Sequence, residues 1–179
     1  ELRTAKLERY KKEYELPDYD AQIITGSKHM ADIFEETTAI CKKPKKVSNW
    51  LMGETLRLLK EHEKEPEDIA FSAENLAKLI ELVDGGVING NVAKEVFEQI
   101  FARNIAPEKY VEEKGLKTVN DEGALRKTIE QIVADNPKSV EDYHNGKEKA
   151  IGFLVGQTMK AMKGKADPGM VNKILKEIL

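Results

Sequence analysis

What this chain lacks narrows its chemistry first. Its 179 residues include one cysteine, Cys41, so no internal disulfide is available, and a reducing cytoplasm is the expected compartment. Three histidines, His29, His62 and His144, lie far apart in sequence and form no paired-histidine motif, and a single cysteine cannot supply a zinc knuckle. No metal or cofactor is expected. The longest unbroken run of apolar residues and glycine, Ala150 to Gly156, is far too short to cross a bilayer, and no charged-then-apolar segment opens the chain. No membrane role is expected either. The sequence starts at Glu1 rather than Met, which reads as a fragment or processed product.

Catalytic signatures are also missing. There is no nucleophile elbow and no Walker phosphate loop. The glycine-containing stretch Asp84-Gly85-Gly86 to Asn89-Gly90-Asn91 lacks the Lys-Ser/Thr that completes such a loop, and reads as a helix stop followed by a new cap. With 32 acidic residues, choosing two as acid and base would be arbitrary, because a solvated charged face is the default at that density. The chain is not expected to be an enzyme by itself.

What is present is helical pattern almost throughout. Prolines recur where helices would begin (Pro44, Pro107, Pro137, Pro168), and glycines where they would end (Gly85-Gly86, Gly115, Gly146). Ser27 and Ser72 look like N-caps. Apolar stripes at helical spacing run through Met30, Ile33, Phe34, Thr37 and Ile40, then Val47, Trp50, Leu51 and Leu58, then Leu76, Leu79, Ile80 and Val83. Further stripes are Val92, Val96, Phe97, Ile100 and Phe101, and Leu125, Ile129, Ile132 and Val133. Trp50, Phe97 and Phe101 suit a core better than a stacking platform. A brief extended stretch is expected at Leu116 to Val119, before a helix from Asp121 to Ala134. No segment repeats at a fixed period. The expected fold is all-α: a larger helical-bundle domain over residues 1–115, followed by a small four-helix tail domain over 116–179.

Charge is distributed unevenly. The chain as a whole carries −3, yet residues 146–179 hold seven lysines against three acids, a net +4, which leaves −7 on the first 145 residues. On a wheel at about 100° per residue, Ile151, Leu154, Val155, Thr158 and Met162 fall on one side of a helix expected from Lys147 to Lys163. The opposite quadrant holds Lys149, Gly152, Gly156, Lys160 and Lys163, with Lys147 and Lys165 flanking it. Glycines at i and i+4 remove side-chain bulk, so a polyanion backbone can approach while lysines neutralise its phosphates. The same notch can equally let another helix pack closely, with the lysines solvated around it. Both readings stand at this level. Phe153 is the one phenylalanine of the basic end, so RNA recognition there is expected to work through backbone and shape.

A longer pattern then becomes visible. Asn136-Pro137-Lys138, Asp142-Tyr143, the run from Gly146 to Gln157, Lys160-Ala161, Lys163 to Ala166 and Pro168 strongly resemble the tail of the GatB family, the B subunits of the aspartyl/glutamyl-tRNA amidotransferases. Asn49-Trp50-Leu51-Met52-Gly53-Glu54, the segment Ile88 to Val96, and Leu16-Pro17 with Tyr19-Asp20-Ala21 resemble its helical domain. Asp167 departs from the pattern, standing before Pro168 where Asn is expected, and its carboxylate would oppose phosphate nearby. The resemblance implies a non-catalytic helical and YqeY-like tail region. Its tail would recognise tRNA of the Gln or Asn type through Lys147, Lys149, Gly152, Gly156, Lys160, Lys163 and Lys165. It also implies the amidotransferase A and C subunits as partners through the parent protein, and a parent complex that is a glutamine-hydrolysing carbon–nitrogen ligase. The region alone is expected to be monomeric. The competing expectation is a protein-interaction module that docks other subunits, with RNA contact incidental; a stand-alone YqeY-type enzyme is the remaining alternative, and no nucleophile, base or metal constellation supports it.

Overall fold

The computed structural model describes residues 1–118 and 122–179. All regular structure among them is helical: α1 Arg3–Glu13, α2 Asp18–Thr25, α3 Lys28–Cys41, α4 Pro44–Trp50, α5 Leu56–Glu61, α6 Ala73–Asp84, α7 Gly90–Arg103, α8 Pro107–Glu113, α9 Glu122–Asp135, α10 Pro137–His144, α11 Lys149–Ala161 and α12 Pro168–Ile178. The Leu116 to Val119 stretch enters no strand over its described part; Thr118 N–H donates one bond to the Val87 carbonyl at 2.7 Å. Val119, and Asp121 at the expected start of the next helix, lie outside the described residues.

Local chemistry sets the helix ends. Ser27 Oγ accepts from Met30 N–H at 3.2 Å and Ser72 Oγ from Asn75 N–H at 3.3 Å, satisfying donors that the first helical turn cannot satisfy itself. Pro44, Pro107, Pro137 and Pro168 each open a helix, where a missing N–H costs nothing. Gly86, Gly115 and Gly146 all take positive φ beyond helix ends.

Two details differ from the sequence pattern. Ile40 is 45% exposed, whereas Cys41 is buried. At about 100° per residue, Cys41 lies close to the Met30–Phe34–Thr37 axis and Ile40 lies about 80° off it. The helix expected to run on from Pro44 widens into a π-helical turn at Leu51–Thr55. There Thr55 Oγ1 donates to the Trp50 carbonyl at 2.9 Å, and Gly53 adds no side chain to resist the distortion. Trp50, just before this turn, is half-buried rather than a core residue, with its ring 5.1 Å from that of Phe97.

The chain divides into two compact units, residues 1–85 with 93–115, and residues 86–92 with 116–179. The segment 86–92 therefore groups with the later residues, not with 1–115. In the first unit α3 packs along α6, burying Met30, Phe34, Leu76, Leu79 and Ile80. In the second, α11 packs against α9, α10 and α12. Leu125 and Ile129 of α9, Leu154 of α11, Ala166, and Val171, Ile174 and Leu175 of α12 form its buried centre, flanked by the half-buried Val140 of α10. A fully buried aliphatic side chain contributes about 1.5–3 kcal/mol, so this small cluster rigidly fixes which face of α11 turns outward.

Candidate nucleic-acid interface

Helix α11 is oriented by what it buries. Leu154 and Thr158 are fully buried, Ile151, Val155 and Met159 pack against the same core, and Thr158 Oγ1 donates to the Leu154 carbonyl at 2.9 Å. The opposite side carries Lys149, Gly152, Gly156 and Lys160, all exposed. A Cβ built at Gly152 or at Gly156 would meet no atom within 4 Å. Within the second unit, then, no described helix packs into the glycine notch. The space beside the lysines is open to a ligand.

The lysines do not all continue one helical face. Regular helix stops at Ala161, and Lys163 is in left-handed conformation at φ 55°. Gly164 N–H donates to the Met159 carbonyl at 2.8 Å and Lys163 N–H to the Lys160 carbonyl at 3.1 Å, the paired bonds of a Schellman turn. Lys163 is exposed on that turn, and its wheel position with Lys149 and Lys160 no longer applies. Lys165 follows on the same turn and is half-buried. Lys147 precedes the helix, with its ammonium 3.8 Å from Asp142. The structure thus groups Lys149, Gly152, Gly156 and Lys160 on one face, carries Lys163 and Lys165 on the turn after it, and sets Lys147 apart.

Ion pairs engage some of the chain's lysines and leave others to solvent. In the first unit Lys43 and Lys46 both pair with Asp84, Lys45 lies 3.4 Å from Glu15, and Lys11 lies 2.9 Å from Glu8. In the second, the ion pairs among the described residues are Lys147–Asp142, Arg126–Glu177 and Arg126–Glu122. Lys149, Lys160, Lys163 and Lys165 have no acidic partner among them, and neither do Lys127, Lys138, Lys173 and Lys176 of the same unit; what distinguishes the α11 lysines is their place beside the two open glycines. Lys149 also opens α11, where a cation opposes the positive end of the helix dipole, so its charge does nothing for that helix. Asp167, the acid expected to oppose phosphate, is committed elsewhere: its Oδ1 accepts from Gly169 N–H at 3.0 Å as the N-cap of α12.

Two residues of this region escaped sequence reasoning. Asn89 was legible as a cap, and its Oδ1 accepts from Val92 N–H at 2.9 Å. Its Nδ2, however, also donates to the carbonyl of Gly164, fastening the Lys163–Lys165 turn from 75 residues away. No local sequence signal announces that bond. The other is Phe153, 48% exposed on α11; its place on the wheel, close to Lys149 and Lys160, was the available signal. Among the described residues no group of three His, Cys, Asp or Glu side chains is placed to hold a metal ion, and no helix is long and apolar enough to cross a membrane.

Among the described residues these features define an all-helical protein with an exposed cationic helix face whose lysines form no ion pair. The family model described as the GatB domain matches residues 32–179, and the chain belongs to that family. It is 65% identical over 179 residues to the B subunit of the aspartyl/glutamyl-tRNA(Asn/Gln) amidotransferase of Agathobacter rectalis, an alignment covering 100% of this chain and 38% of that protein. The B subunit of the amidotransferase of Lachnoclostridium phytofermentans is 62% identical over 179 residues, 100% of this chain and 37% of its own length. That of Thermoanaerobacter sp. (strain X514) is 55% identical, again over 100% of this chain and 38% of its own. The chain therefore spans less than two fifths of the curated relatives it matches.

Proposed function

We propose that this chain is a non-catalytic tRNA-recognition region of an amidotransferase B subunit, which positions misacylated tRNA of the Gln or Asn type for ATP-dependent transamidation carried out elsewhere in the parent protein. The observation that carries this reading is the outward face of α11: Lys149 and Lys160 are exposed without acidic partners beside two glycines whose Cβ positions are open. The relatives are named for tRNA(Asn/Gln), and a polyanion is the ligand such a face complements. Lys149 and Lys160 neutralise phosphates on the helix face, Lys163 and Lys165 do so from the turn, and Lys147 contributes flanking charge. Gly152 and Gly156 admit the backbone. The amidotransferase A and C subunits, and a reducing cytoplasm, complete the proposed setting. The parent complex would be the glutamine-hydrolysing carbon–nitrogen ligase.

The test is binding of the chain to folded tRNA(Gln) and tRNA(Asn) transcripts and to a non-substrate tRNA across a salt series, beside the triple variant Lys149→Glu, Lys160→Glu, Lys163→Glu. Four or five phosphate contacts predict a slope of log K against log salt of roughly −3 to −4.5, and the variant should lose binding by at least about tenfold. Binding that ignores these lysines, or none at low salt, would transfer the face to protein docking.

A further inference from the structure

The exposed face of α11 carries one side chain that a purely electrostatic surface does not need. Phe153 is 48% exposed, while the other large apolar side chains of this helix, Ile151, Leu154, Val155 and Met159, are buried or pack against the core. At about 100° per residue it points within about 40° of Lys149 and about 20° of Lys160, at the edge of the cationic face and between the two lysines along the helix. The residue at i+3 neighbours Phe153 on the helix surface, where a long side chain would shield part of the ring. That residue is Gly156, and a Cβ there meets nothing within 4 Å; the same holds at the neighbouring Gly152. No ring–ring or cation–ring contact engages Phe153 among the described residues. Leaving an aromatic ring bare beside a cationic face contributes nothing to folding.

We infer that Phe153 stacks on an unpaired nucleotide of the bound RNA, the two glycines leaving its ring accessible while Lys149 and Lys160 hold the adjoining phosphates. This rests on the proposed RNA face and adds a base contact to what was expected to be recognition by backbone and shape alone. Charge selects the partner: a ring beside unpaired ammonium groups suits a polyanion with exposed π-faces better than an apolar protein groove. Stacking also differs from phosphate contact in a measurable way. It releases no counterions, so removing it weakens binding without changing the salt slope.

The experiment titrates the chain with a folded tRNA(Gln) transcript and with a blunt RNA duplex of similar length, whose bases are all paired, over a series of salt concentrations. Variants are Phe153→Leu, Phe153→Trp, and the pair Lys149→Gln with Lys160→Gln. Phe153→Leu should weaken tRNA binding about tenfold and duplex binding by less than about twofold, with an unchanged salt slope. Phe153→Trp should retain or raise affinity. The lysine pair should weaken both RNAs and flatten the slope by about 1.5. Thermal unfolding of Phe153→Leu should match the parent chain, because the side chain is not core. If Phe153→Leu binds tRNA like the parent chain while the lysine pair does not, the stacking role is overturned and the cationic face stands. If equal losses on tRNA and duplex accompany a changed slope, the ring acts through the lysines and the inference falls. If neither lysine pair nor Phe153 substitution alters RNA binding, the RNA face itself falls, and the inference with it.

Discussion

Lys163 holds a backbone conformation that its side chain does not favour. Its φ of 55° is in the left-handed region, at the position of a Schellman turn where glycine is usual. The strain is not needed for the turn itself, since Gly164 N–H and Lys163 N–H make the same bonds whatever the side chain. Lys163→Gly should therefore raise stability by about 0.5–1 kcal/mol. The same substitution should make the salt slope of tRNA binding shallower by about 0.7–0.9, the contribution of one phosphate contact. Thermal melts and a salt titration on the same variant check both, and opposite changes in stability and binding would show that the lysine is retained for its charge.

At the scale of the element, α11 divides cleanly into a side that folds and a side that does not. Leu154 and Thr158 are buried in the second unit's core, while Gly152 and Gly156 face open space and weaken the helix they belong to. Gly152→Ala and Gly156→Ala should each stabilise the chain by about 0.5–1 kcal/mol, because the methyl meets no atom and the unfolded chain loses freedom. If close approach of an RNA backbone needs those positions bare, tRNA affinity should fall severalfold in the double variant as the melting temperature rises. Circular dichroism melts and binding isotherms check this together; a stabilised variant with unchanged affinity would remove the glycines from the interface. The π-helical turn at Leu51–Thr55 makes the opposite point about elements, since a favourable apolar stripe did not keep that helix regular.

Across the whole molecule, some cations are held by internal acids and others are left to solvent. Asp84, only 13% exposed, takes both Lys43 and Lys46, and their hydrogen bonds hold its carboxyl below the ordinary value of 3.8. A depressed carboxyl pKa contributes stability that is fully present above pH 3.8 and is lost as pH falls through the lower folded value. The lysines are 41% and 54% exposed, so solvent screening limits the two pairs to about 1 kcal/mol together. The double variant Lys43→Gln, Lys46→Gln should melt about 2–4 °C lower at about pH 7, with the difference narrowing below about pH 4. Its tRNA affinity should stay within about twofold of the parent chain, because those charges are already satisfied internally. An equal loss from this variant and from the α11 lysine variants would mean that binding follows total charge rather than one face.

Much of the protein is readable along the chain because the causes are local. Proline at N1, serine caps, glycine at positive φ and 3.6-residue apolar spacing act within one or two turns, so the all-helical class and most helix limits follow from neighbouring residues. The excess of lysine after Gly146 is local in the same sense, and with the motif run from Gly146 to Gln157 it led to the family. What depended on distance was decided only by the fold. The closing bond from Asn89 to Gly164 joins residues far apart in sequence, and the openness around Gly152 and Gly156 depends on which helices fail to pack there. The separation of paired from unpaired lysines belongs here as well, because an ion pair such as Lys43–Asp84 forms between residues 41 apart in the chain. Sequence by itself determined where helices start, stop and turn an apolar side inward; only the tertiary structure decided which cations remain free to meet a ligand, because neutralisation acts through space and not along the chain.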